Sequence, residues 1–129
     1  MELDFTKLDG LIPVVIQDHA TREVLMLGFM NAEALENTRR TGEVHFYSRT
    51  RKRLWKKGET SGHVLRVRQI LFDCDADSLL IRVEPVGPGV CHEGYRSCFF
   101  RELAPDGTSR IVAERTFAIE DVYRKRGAR

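Results

Sequence analysis

Apolar and β-branched residues gather in two early runs, residues 11–17 (LIPVVIQ) and 24–29 (VLMLGF), with the polar stretch 18–23 between them. That pattern predicts two strands joined as a hairpin. Asn31 then stands where a helix N-cap belongs, ahead of AEALENTRRT, and Gly42 falls just past its end. A short helix is expected there, with Ala32, Leu35 and Thr38 as its inward stripe. Residues 44–47 alternate as a strand. Residues 48–62 are polar, basic and punctuated by Gly58 and Gly62, which marks a functional loop. Residues 64–72 read as a strand with Leu65, Val67 and Leu71 on one side and Arg66 and Arg68 on the other. Residues 79–83 form a further strand stopped by Pro85, and residues 98–103 a shorter one. Pro105, Asp106 and Gly107 supply turn chemistry, and the charged end is expected to fray after Tyr123. The expected fold is β-rich α+β: a single compact domain over residues 1–129, with mostly antiparallel strands and one or two short helices.

Composition narrows the class. The chain has 42% hydrophobic and 31% charged residues, the balance of a globular protein. Its 21 Lys plus Arg against 19 Asp plus Glu leave a net charge of only +2. That near-neutrality argues against a nucleic-acid or polybasic membrane protein. No apolar run approaches the length that spans a bilayer. Three cysteines cannot all pair internally, and no signal peptide precedes them, so cytoplasmic thiols are expected.

Three groups of residues could carry chemistry. Asp73, Asp75 and Asp77 alternate in DCDAD, where mutual repulsion favours a cation among them. A solvated acidic turn is the plainer reading. A calcium-binding EF-hand loop fails because Ser78 stands where that loop needs glycine and strands flank it where helices are required. Magnesium completed by substrate and water fits better. Cys74, Cys91 and Cys98 lack the CxxC spacing of a zinc knuckle. They read either as small buried residues or as a three-thiolate zinc site with one open position. If residues 73–77 are extended, Cys74 points away from the aspartates, and a symmetric dimer would let it reach Cys91 and Cys98 of a second copy. Finally, residues 39–57 hold eight basic residues and one acid, Glu43. Within this region Ser48, Arg49, Thr50 and Arg51 alternate hydroxyl and guanidinium groups suited to phosphate oxygens. Glu59, Thr60, Ser61 and Gly62 follow with hydroxyls and open backbone N–H groups. A solvated loop and an RNA-binding patch with Trp55 for stacking stay open at this point.

Taken together, QDHATREVLMLGFMNAEAL, YSRTRKRLWKKGETSGH, DCDADSLL and CHEGYRSCFFRE closely resemble the phosphoribosyl-AMP cyclohydrolase family of histidine biosynthesis. The resemblance covers residues 11–103. It implies a monofunctional hydrolase that opens the N1–C6 bond of the adenine ring in 1-(5-phosphoribosyl)-AMP, working as an intertwined homodimer. It further implies zinc on Cys74, Cys91 and Cys98 shared across the dimer, magnesium on Asp73, Asp75 and Asp77, and proton transfer by His92. A substrate with two phosphates needs two anion sites, for which Ser48, Arg49, Thr50 and Arg51, and then Lys57, Glu59, Thr60, Ser61 and Gly62, are the candidates. Leu65 and Glu93 depart from the residues the family commonly carries, glutamine and threonine.

Overall fold

The β-branched runs at the start of the chain pair as the alternation requires. The computed structural model describes residues 2–120, and the expected fraying after Tyr123 lies outside them. Strand β1 (Ile12–Asp18) alternates strictly, with Ile12, Val14, Ile16 and Asp18 buried. It pairs antiparallel with β2 (Val24–Met30) across the polar turn, with a register irregularity after Ile16. Helix α1 (Ala32–Thr41) begins on Asn31, whose side chain accepts from Ala34 N–H, and ends on Gly42 in the left-handed region. Its buried stripe is Ala34 and Thr38, with Leu35 packed against the core. Ala32, expected inside, is exposed. It stands in the first turn, two positions before Ala34, and the contact with the core begins at Ala34.

Strand β3 (His45–Ser48) folds back on β4 (Arg53–Lys56), so the supposed loop 48–62 contains a strand. Its basic side chains hid a period-2 pattern in which Arg53 and Trp55 share a face. Trp55 packs on Phe46, ring centroids 5.1 Å apart.

Strand β5 (Leu65–Phe72) pairs antiparallel with β6 (Leu79–Pro85), which lies parallel to β1. The sheet order is β2-β1-β6-β5. A bulge between Val67 and Gln69 corrects the expected face of β5: past it, Ile70 rather than Leu71 joins Leu65 and Val67 against the core. Pro85 ends β6 from within, paired with Leu65 at the sheet's edge strand. Ile12, Val14, Ile16, Leu65, Ile81 and Val83 meet Met30, Ala34, Val44 and Phe46 in one apolar cluster.

The last hairpin, β7 (Arg101–Leu103) with β8 (Ser109–Ile111), turns at the expected Asp-Gly. Cys98 precedes that strand instead of opening it. Among the described residues the chain is thus one strand-rich domain with a single α-helix and mostly antiparallel pairing.

Candidate active site

The acidic motif forms the turn from β5 to β6, and it is not extended: Ala76 adopts φ 60° and is buried. Asp73 holds the turn. Its Oδ1 accepts the N–H groups of Asp77 (3.0 Å) and Ser78 (3.2 Å), and its Oδ2 accepts the Ser78 hydroxyl. The Ser78 hydroxyl is the first of the bonds that keep the Asp73 carboxyl far below the usual carboxylate range. One oxygen from each of Asp73, Asp75 and Asp77 lies within 4.8 Å of the others. Lys7 brings its Nζ to 2.9 Å from Asp77 Oδ2 and 3.3 Å from Asp75 Oδ2. At Asp77 this ammonium pulls the pKa down, but the adjoining Asp75, lost hydration and Asp73 outweigh it, so the net shift is upward. Crowded oxygen donors of this kind match a hard divalent cation.

The thiols divide into two places. Cys91 is buried and Cys98 surfaces beside it, at opposite limbs of a loop closed by Val90 N–H to the Arg96 carbonyl and Cys91 N–H to the Tyr95 carbonyl, both 3.0 Å. Although Cys98 is exposed as a residue, burial of its thiol and the adjoining Cys91 push its pKa up to about 11, with Lys57 pulling the other way. Cys74 is exposed on the acidic turn. Among the described residues, only the aspartate trio brings three such ligand atoms together, so the three sulfurs do not converge within one chain. Two adjacent thiols are donors suited to zinc, short of the set that closes around it.

A cleft of about 330 Å³ opens between the β3–β4 hairpin, the 57–61 loop and the thiol loop. Of the sequence candidates, Ser48, Arg51, Lys57, Glu59, Thr60, Ser61 and His92 line it. Arg49, Thr50 and Gly62 are not among its walls. Arg49 instead lays its guanidinium 4.0 Å from the Phe29 ring centre. Two hydroxyls serve their own backbone: Ser48 Oγ accepts from Arg51 N–H at 3.1 Å, and Ser61 Oγ from His63 N–H at 3.1 Å. Lys57 reaches across to the Val90 carbonyl at 2.7 Å and so ties the cleft to the thiol loop. Lys56, at the start of the second candidate stretch, also lines the cleft, and so does Arg53, which was missed as a site residue. Recognising β4 as a strand would have placed Arg53 beside Trp55.

The family model for phosphoribosyl-AMP cyclohydrolase matches residues 26–100. The chain is 61% identical over 103 residues to the phosphoribosyl-AMP cyclohydrolase of Solibacter usitatus, covering 80% of this chain and 82% of that one. It is 55% identical over 124 residues to the protein of that name from Methanosarcina acetivorans, covering 95% and 99%. The corresponding protein of Pelotomaculum thermopropionicum is 52% identical over 127 residues, covering 97% and 98%. A cleft walled by the YSRTR and KKGETS segments, with the CHEGYRSC loop at its edge, and likeness along nearly the whole chain lead to one assignment: the chain belongs to the phosphoribosyl-AMP cyclohydrolase family.

Proposed function

We propose that the chain hydrolyses the N1–C6 bond of the adenine ring in 1-(5-phosphoribosyl)-AMP, the ring-opening step of histidine biosynthesis, as a cytoplasmic homodimer using zinc and magnesium. The observation that carries this reading is the cleft, which gathers Arg51, the 57–61 loop and His92 around one cavity.

The substrate carries two phosphates and a ring made cationic by ribosylation at N1. Arg51 offers a planar fork for one phosphate, and Thr60 with the loop's N–H groups offers a second cradle. Trp55 gives the cleft an aromatic wall for the base. His92, next in sequence to Cys91, lines the cleft; in this reading it takes a proton from the water that attacks C6 and returns it to N1 as the C6–N1 bond breaks. Cys91 and Cys98, completed by Cys74 from a second copy, are the residues that would hold zinc; Asp73, Asp75 and Asp77 would hold magnesium. When bound, zinc supplies Lewis acidity that brings the pKa of water toward neutrality, and magnesium supplies charge for a phosphate or ribose oxygen.

Two observations support the dimer. Cys74 lies apart from the other thiols, and Phe99, Leu103, Ile111 and Val112 expose apolar side chains around the last hairpin. No described helix is long and apolar enough to cross a membrane.

Ultraviolet absorbance of the purified chain with phosphoribosyl-AMP, zinc and magnesium tests the proposal directly. Ring opening is expected; its absence with both metals supplied overturns the activity. A Cys91→Ser variant that kept zinc stoichiometry and rate would overturn the thiol assignment alone.

A further inference from the structure

The first motif of the sequence, which runs from Gln17 along β2, contributes no wall to the cleft and no ligand. Its acidic residues nevertheless converge on the thiol loop. Asp18 ends β1 with a side chain only 5% exposed. Its two oxygens do different work. Oδ1 accepts Ala20 N–H at 2.8 Å and Thr21 N–H at 3.2 Å, closing the turn toward β2. Oδ2 takes the guanidinium of Arg96. On the far side of the same turn, Glu23 Oε1 accepts Arg96 Nε at 2.6 Å. One guanidinium therefore bridges both acids of the hairpin.

Arg96 lies two residues before Cys98. Its own carbonyl accepts the N–H of Val90, the residue that precedes Cys91, at 3.0 Å. Ser97 Oγ donates to the Val24 carbonyl at 2.8 Å, and Cys98 N–H to the Leu25 carbonyl at 2.7 Å. Residues 96–98 are thus fastened to the β1–β2 hairpin at three successive positions. A carboxylate as buried as Asp18 is costly unless it is fully paired, and apolar packing could hold a loop as firmly. A forked guanidinium between two carboxylates adds direction.

We propose that Asp18 and Glu23 are positioning residues: through Arg96 they set the aim of Cys98 relative to Cys91 and thereby the affinity of the thiol site for zinc. This rests on the reading of Cys91 and Cys98 as zinc ligands. The bond pattern supplies a selective variant. Asp18→Asn keeps an oxygen for the two turn N–H groups but presents an amide, without charge, to Arg96. Glu23→Gln alters only an accessible carboxylate.

The test is titration of the metal-free, full-length protein with cobalt(II), followed by the thiolate-to-cobalt charge-transfer band, with dissociation constants from chelator competition well below the unfolding temperature. Wild type is measured first, and absence of the band there, with Cys98→Ser unchanged, overturns the zinc reading itself. With the band present, Asp18→Asn is expected to bind about 10-fold to 100-fold more weakly and with an altered band shape, which a merely stabilising ion pair would not produce. A folded Asp18→Asn that binds within twofold of wild type overturns the proposal. Should that variant fail to fold, Glu23→Gln decides: weaker cobalt binding supports the proposal and unchanged binding overturns it. Arg96→Lys, which keeps the charge but loses the fork, is expected to behave like Asp18→Asn; wild-type binding would show that charge balance alone matters and overturn the positioning role.

Discussion

Lys7 Nζ lies 2.9 Å from Asp77 Oδ2, and the same ammonium reaches Asp75, so the acidic turn carries a cation of its own from near the start of the chain. These bonds to Asp77 first, and Asp75 second, raise the Lys7 pKa, which keeps the ammonium charged. A divalent ion that binds the three carboxylates must displace it or share oxygens with it. Lys7→Ala is therefore expected to tighten manganese(II) binding several-fold, read by electron paramagnetic resonance of the free ion. Weaker binding in the variant would show that Lys7 helps to build the site instead of competing for it.

Gly58 turns the chain at φ 87°, and a Cβ there would stand 2.5 Å from Val64 N and 2.6 Å from the His63 carbonyl carbon. Both obstacles are backbone, so the 58–62 loop must move. Gly58→Ala is expected to cost about 1–3 kcal/mol of stability and to raise KM more than it lowers kcat, because the displaced loop lines the cleft. Denaturant unfolding with steady-state kinetics checks both parts.

His92 lines the cleft, where it is proposed to carry the proton. His92→Gln keeps a polar group of similar reach without the basic nitrogen. Its kcat is expected to fall by about 10²–10⁴-fold with metal content intact by atomic absorption. A variant with full rate would remove the assignment.

Asn31 caps α1 by accepting Ala34 N–H at 2.8 Å. Asn31→Ala leaves that donor without its partner at the edge of the core, and a loss of about 1 kcal/mol is expected, read as a lower denaturant midpoint with an unchanged slope.

Asp18 also gives the fold an acid limit. Desolvation pushes its carboxyl upward, but the N–H groups of Ala20 and Thr21, then Arg96 and His19, more than offset this, and the net shift is down from 3.8. The folded state thus binds this proton less readily than the unfolded chain. The corresponding stability is present above pH 3.8 and is lost as pH falls through the lower folded value. In acid unfolding followed by circular dichroism, Asp18→Asn should show a shallower loss of stability than wild type below about pH 4.

The elements that were legible along the chain are those specified by neighbours. The β1–β2 hairpin follows from two β-branched runs around a polar turn, and α1 from Asn31 and Gly42 at its ends. The 105–107 turn joins β7 to β8 for the same local reason. Motif order along the chain likewise pointed to the family. Three features needed the folded chain. The bulge at Val67–Gln69, which exchanges Leu71 for Ile70, answers to pairing with β6 and has no local mark in LRVRQILF. Strand β4 was masked because its charged side chains face a cleft rather than a core. Arg96 finds Asp18 across 78 positions, and Lys7 finds Asp77 across 70. Local composition determines which segments bend and which extend. Which charges meet is decided only when the sheet brings the end of β1 beside the thiol loop and lays the start of the chain over the acidic turn, because a charged pair's energy depends on distance in space and on the water excluded around it.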